Sequence, residues 1–246
     1  MKKNRFQLLD TIRGIVLISM IVYHATWNMV YIYGMDWTWY RSHGAYLWQQ
    51  SICWTFILLS GFCFSLGKRH LKSGLLVFGS GVLVTTVTLL AMPQNRVVFG
   101  VLTCIGSCIL LLTFTEKAWK KIPVEAGMVM AFLIFLFTKN INSGYLGLGD
   151  FCIAELPVSW YSNYFTTFWG LPFRGFYSTD YFSLLPWFFL FLMGFYLHGV
   201  WVKYDFLNKK FMYRGVGIFA FLGKHSLLIY LLHQPVIYGV QEILLK

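Results

Sequence analysis

The sequence predicts an all-α fold: a polytopic integral membrane helix bundle of about seven transmembrane helices, with its N-terminus inside, its C-terminus outside and a long outer loop between spans five and six. Three observations carry this reading. Hydrophobic residues make up 58% of the chain and charged residues only 12%, against roughly 25% charged in a soluble domain. Apolar runs of about 20 residues, the length that crosses a bilayer, recur along the whole chain. The basic residues sit in short clusters between those runs. The formal charge of +11 is therefore assigned to membrane topology and contact with membrane lipids, and no nucleic-acid partner is expected. No composition break divides the chain, so residues 1–246 are read as one membrane-embedded domain.

The expected spans are 8–32, 46–67, 73–92, 97–115, 122–138, 181–202 and 217–243. Met1-Lys2-Lys3-Asn4-Arg5 has the charge of a signal-peptide leader, but the apolar run behind it holds ionisable residues and no small-x-small cleavage site, so it is read as a retained first span. With the N-terminus inside, the alternating sides place Lys2, Lys3, Arg5, Arg13, Lys68, Arg69, Lys72, Lys117, Lys120, Lys121, Lys203, Lys209, Lys210, Arg214 and Lys224 inside. Only Arg41, Arg96, Lys139, Arg174 and Lys246 fall outside. That asymmetry obeys the positive-inside rule, and the reverse orientation breaks it. The loop Gly34–Gly44, with Trp37, Trp39 and Tyr40, reads as an interfacial aromatic belt. The loop Asn140–Asp180 is long and shows no obvious regular structure. Its aromatic content predicts a packed cap rather than disorder. Gly144, Gly147 and Gly149 lack the spacing and preceding strand of a dinucleotide fingerprint and are read as loop flexibility. The cysteines Cys53, Cys63, Cys104, Cys108 and Cys152 form neither a disulfide framework nor a zinc signature. Cys104 and Cys108, beside Gly100, Gly106 and Ser107, read as small residues at a tight helix contact.

The first span carries the functional signal. Asp10, Arg13, His24 and Asn28 interrupt a stretch that needs none of them to cross a membrane. At about 100° per residue, Arg13 and His24 lie within roughly 20° of one another, and Asp10, Leu17, Met20 and Asn28 within about 40° of that line. Ionisable groups facing lipid cost about 2.5–3.5 kcal/mol or more, so this stripe must face other helices or a wet cavity. Arg13 presents a planar fork of donors suited to phosphate oxygens. Asp10 either orients that Arg or simply forms an i,i+3 ion pair with it.

Among the six histidines, His24 and His233 fall at matched depth in the outer parts of their spans and are expected to meet. His43 and His70 lie in loops, and His198 and His225 do not share that depth. Facing imidazoles either perform acid–base or nucleophilic chemistry or act as axial ligands to a haem. His24 stands about 16 Å along the helix from Arg13, a distance that an extended phosphorylated cofactor bridges. Asn28 either fixes the His24 tautomer, binds an acceptor or makes an interhelical hydrogen bond. Asp180 either binds an acceptor or caps a helix, and Tyr230, His233 and Gln234 line the opposite wall, with His233 as a packing residue the competing reading.

Leu9-Asp10-Thr11-Ile12-Arg13-Gly14 with Met20-Ile21-Val22-Tyr23-His24 resembles the opening of the heparan-α-glucosaminide N-acetyltransferase catalytic-domain family, within the transmembrane acyltransferases that modify envelope polysaccharides. Phe56-Ile57-Leu58-Leu59-Ser60-Gly61-Phe62, Phe99-Gly100-Val101-Leu102-Thr103-Cys104-Ile105-Gly106, Asp180-Tyr181-Phe182-Ser183-Leu184-Leu185-Pro186-Trp187, Gly223-Lys224-His225-Ser226-Leu227 and Tyr230-Leu231-Leu232-His233-Gln234-Pro235 resemble further family segments in the same order. The resemblance implies an enzyme of the bacterial cytoplasmic membrane, multi-pass, that moves an acetyl group from cytoplasmic acetyl-CoA, as co-substrate, to a hydroxyl or amine of an extracytoplasmic sugar or cell-envelope glycan. Carried onto this chain, it implies Arg13 and Asp10 at the donor entrance and His24, shared with His233, as base or acyl carrier. Asn28, Asp180, Trp187, Tyr230 and Gln234 are the expected acceptor-binding residues. No metal is expected, and small-residue helix faces are compatible with a homodimer. A transporter or flippase of an envelope precursor, or a haem-binding membrane subunit, is the alternative. A transporter would favour broken spans repeated between two halves, and no such repeat is visible.

Overall fold

The computed structural model describes residues 5–245, which leaves Lys2, Lys3 and Lys246 of the charge comparison outside the described residues. The long helices are α1 (Gln7–Tyr31), α2 (His43–Phe64), α3 (His70–Ala91), α4 (Val101–Trp119) and α5 (Val124–Thr138). After a short α6 (Tyr164–Trp169) follow α7 (Leu184–Lys203), α8 (Gly217–Lys224) and α9 (Ser226–Leu245). Among the described residues, seven segments are long and apolar enough to cross a membrane: α1, α2, α3, α4, Val124–Ser143, α7 and α9. The all-α, multi-pass architecture expected from hydropathy is thus present.

The expected seventh span, 217–243, is two helices rather than one, because the backbone leaves helical geometry at His225 (φ −103°, ψ 17°). Gly223 before the break and Ser226 after it are ordinary stop and start residues, which hydropathy alone passes over. The described residues form two compact units, 5–56 with 204–245, and 57–203, and the division falls inside α2.

In the first unit, α1 packs against α8 and α9. The α1–α8 contact is glycine to backbone on both sides: a Cβ at Gly14 would overlap the Phe219 carbonyl, and one at Gly223 would overlap the Asp10 carbonyl. Small residues at such crossings let helix backbones touch where lipid supplies no hydrophobic drive. The first part of α2 adds Ile52 to a core with Leu17 and Met20, and the Trp48 indole donates to Ser19 Oγ at 2.8 Å. Trp37 and Trp39 are exposed, as an interfacial belt requires, but Tyr40 is buried with Val30 and Ala45.

The second unit pairs α3 with α4 and α5 with α7. Gly106 lies against the Phe78 backbone, and Cys104 and Cys108 are buried beside it, so these small residues do serve a tight helix contact. Glu125, at the start of α5, forms an ion pair with Lys203.

The long segment between α5 and α7 is more regular than expected. It contains an antiparallel hairpin of β1 (Tyr145–Leu148) and β2 (Phe151–Glu155), then α6 with a capping box made by Asn163 and Thr166. Gly149 holds a left-handed turn residue (φ +54°), so it shapes a defined turn rather than supplying loop flexibility. The sequence hides this hairpin because its strands are short and β2 is exposed throughout, with no alternation of burial. The packed aromatic cap is present: Phe99 meets Phe168 at 5.6 Å, and Tyr164 meets Phe173 at 5.0 Å between ring centroids.

Candidate functional site

Helix period places the polar stripe of α1 where the sequence predicts. Asp10, Leu17, Met20 and Asn28 are all buried, whereas Ile15 (48% exposed) and Val22 (50%) lie on the other face. The stripe carries two sites of different character.

Near its start, Asp10 is the hub of an ion cluster. Arg13 Nη1 donates to Asp10 Oδ1 at 2.8 Å and Arg5 Nη2 to the same atom at 2.9 Å, while Arg5 Nε donates to Oδ2. Asp10 therefore forms the i,i+3 ion pair with Arg13 and pairs with Arg5 as well. Arg5 entered the sequence reading only as a topological charge. Two guanidiniums thus converge on one buried carboxylate.

About 16 Å further along α1 from Arg13, at a rise of about 1.5 Å per residue, the second site begins at His24. The rings of His24 and His233 lie 4.9 Å apart, tilted by 56°, so the predicted meeting of these histidines occurs. Two imidazoles bound on opposite sides of one metal at about 2 Å each would hold their centroids about 6 Å apart, and this pair is closer than a bis-histidine haem requires. His233 is buried (8% exposed). Its Nδ1 hydrogen-bonds the Tyr230 carbonyl, and its ring lies 5.1 Å from that of Tyr230. One turn above His24, the fully buried Asn28 accepts from Gln234 Nε2 at 3.1 Å and donates to Gln241 Oε1 at 2.9 Å; Gln241 Nε2 in turn donates to the Ala25 carbonyl at 2.9 Å. Among the described residues, two buried polar side-chain atoms have no hydrogen-bond partner, His233 Nε2 and Gln234 Oε1, and both belong to this cluster.

His24, Asn28, Tyr230, His233 and Gln234 are thus assembled by α1 and α9. Gln241 completes the set and was not foreseen. It follows Gln234 by seven residues, two turns on the same face, and that spacing was the available signal. Pro235 lies inside α9, where it removes one backbone donor from the helix beside His233 and Gln234.

Asp180 and Trp187 belong to the second unit. Asp180 Oδ2 accepts the Val101 N–H at 3.3 Å at the N-terminus of α4, the helix-capping arrangement. Burial pushes its carboxyl up to about 6, against a smaller lowering by the Val101 N–H. Trp187 is buried against Phe135 and Phe182, at 5.6 and 5.0 Å between ring centroids. His70 stacks on Phe64 at 4.0 Å and His198 meets Phe62 edge-on at 5.2 Å, while His225 lies 4.8 Å from Phe221. Among the described residues no group of three or more His, Cys, Asp or Glu is placed to hold a metal ion.

Fold and site define the class: a multi-pass helical membrane protein with paired histidines in a buried, hydrogen-bonded polar cluster. The family model for the catalytic region of heparan-alpha-glucosaminide N-acetyltransferase matches residues 5–235, and the chain belongs to that family of membrane acetyltransferases. No curated protein and no solved structure matches the chain.

Proposed function

We propose that the protein transfers an acetyl group from cytoplasmic acetyl-CoA to a hydroxyl or amine of an extracytoplasmic sugar or cell-envelope glycan, working in the bacterial cytoplasmic membrane with its N-terminus inside. The observation that carries this reading is the contact between His24 and His233, rings 4.9 Å apart, next to buried polar atoms that lack partners. Family membership supports the acetyl-transfer class.

The thioester is already activated, so the protein's work is to position the reactants and to move one proton. The Arg5–Asp10–Arg13 cluster suits the phosphates of the donor because each guanidinium is a planar fork of hydrogen-bond donors, and the length of α1 from Arg13 to His24 suits its extended arm. Near His24, an imidazole lone pair takes the proton from the acceptor O–H or N–H. The acceptor atom bonds to the acetyl carbonyl carbon, the C–S bond breaks, and the CoA sulfur leaves with the proton. The same imidazole serves a two-step route if it first carries the acetyl group itself. Asn28, Tyr230 and Gln234 surround the acceptor.

The test uses purified protein in detergent with radiolabelled acetyl-CoA and two acceptors, glucosamine and a sugar bearing only hydroxyls. Label transfer to either, with release of CoA, supports the proposal. Neither CoA release nor acetyl-CoA binding would sink it.

A further inference from the structure

The two unpartnered atoms, His233 Nε2 and Gln234 Oε1, have a polarity that their neighbours dictate. Among the groups hydrogen-bonded in the cluster, two are backbone carbonyls, which only accept. At one end, the Ala25 carbonyl takes a hydrogen bond from Gln241, so the Gln241 amide must turn its NH₂ toward Ala25 and its oxygen toward Asn28. Asn28 must then offer its NH₂ to Gln241 and its oxygen to Gln234. Gln234 must spend its NH₂ on Asn28, which leaves the buried Oε1 as the unpartnered end of the chain. Turning any one amide round would set two oxygens or two NH₂ groups face to face, at a cost of a buried unmade hydrogen bond. At the other end, the Tyr230 carbonyl accepts from His233 Nδ1, so that nitrogen carries the proton and the neutral ring keeps a lone pair on Nε2.

We infer that His233 Nε2 and Gln234 Oε1 form a subsite of two fixed hydrogen-bond acceptors, with Gln241 as the positioning residue that sets its polarity. Such a subsite takes a group that donates hydrogen bonds and rejects an ether, ester or other group that only accepts. The inference rests on the proposed acetyl transfer for its substrate, and it assigns the proton-accepting lone pair to His233 rather than to His24. Gln241 itself touches neither reacting atom. It acts through Asn28 and Gln234.

Two substitutions at Gln241 separate polarity from mere packing. Glu at this position gives up the hydrogen bond to the Ala25 carbonyl but still accepts from Asn28, so the direction of the rest of the chain is kept. Lys can only donate, so it turns Asn28 and then Gln234 round and presents an NH₂ where an oxygen stood. With glucosamine as acceptor, Gln241→Lys is expected to raise KM by about tenfold or more over Gln241→Glu, in variants that elute as the same species on gel filtration. Equal KM values for the two variants would overturn the role of Gln241. The second measurement needs no turnover: nitrogen NMR of wild-type protein labelled with ¹⁵N-histidine, the His233 signal being the one lost in His233→Asn. At neutral pH a protonated Nδ1 and an unprotonated Nε2 are expected, and a protonated Nε2 would overturn the acceptor assignment. If wild type transfers no acetyl group while the NMR result holds, the proposed reaction fails and the acceptor subsite stands.

Discussion

Replacing Asp180 by Asn should stabilise the protein at neutral pH and not in acid. Burial raises the Asp180 carboxyl from 3.8 to about 6, so the folded chain holds this proton more tightly than the unfolded chain does. Between those two values the folded state binds the extra proton, and the group's favourable contribution is complete below 3.8 and lost as the pH rises through about 6. The difference corresponds to about 3 kcal/mol at most. Asp180 is only partly covered, and solvent screening reduces this to about 1–2 kcal/mol. Asn has no charge to desolvate, and its Oδ1 can go on accepting the Val101 N–H that caps α4. Thermal unfolding of wild type and Asp180→Asn in the same detergent, at pH 4 and pH 7.5, reads the effect directly. At about 2–4 °C per kcal/mol for a chain of this size, the variant should melt about 3–6 °C higher at pH 7.5 and level with wild type at pH 4. An equal shift at both pH values, or a loss at pH 7.5, would refute the argument that the ionised carboxylate is the unfavourable state.

Four further outcomes follow from the contacts. His233→Ala should lower acetyl transfer by about 10²–10⁴-fold, while His24→Ala, which leaves the His233 lone pair in place, should fall less; single-turnover assays with each purified variant compare them. Arg13→Lys should raise KM for acetyl-CoA several-fold and leave the acceptor KM alone, because a single ammonium replaces a two-pronged donor; initial rates at varied acetyl-CoA check it. Gly223→Val should cost about 1–3 kcal/mol or more, since its Cβ would meet the Asp10 carbonyl with no flexible side chain to yield; the melting temperature in detergent measures this. Trp48→Phe should cost about 1 kcal/mol through loss of the indole donor to Ser19, read in the same assay.

How much of this was legible in sequence depends on how each feature is encoded. The buried stripe of α1 was legible because a membrane helix is long and regular, so phase errors stay small from Asp10 to Asn28 and a polar residue stands out against apolar neighbours. The meeting of His24 with His233 was legible because span length fixes depth. Gln241 was missed because an amide near a helix end carries no charge to flag it. Its importance lies in a partner, Asn28, that is 213 residues away. Arg5 was missed for the opposite reason: its charge was already accounted for by topology. The break at His225 and the hairpin between α5 and α7 are short local events, decided by Gly223, Ser226 and Gly149, and a hydropathy window averages over all three.

The two ends of the stripe on α1 solve the problem of polarity in a membrane protein differently. At Asp10 the charges are full, and Arg5 and Arg13 compensate the carboxylate within hydrogen-bonding distance. At Asn28 no charge is used. Polarity is passed from the Ala25 carbonyl through three neutral amides and ends as a lone pair on Gln234. In a low-dielectric interior a neutral chain avoids the desolvation cost of an ion, yet it fixes donors and acceptors as firmly, because reversing one link leaves buried groups unsatisfied. On the proposed reaction, a donor held by charge and an acceptor held by fixed hydrogen bonds call for different kinds of site, and one of each kind lies at either end of the α1 stripe, the second completed by Gln234 and Gln241 of α9.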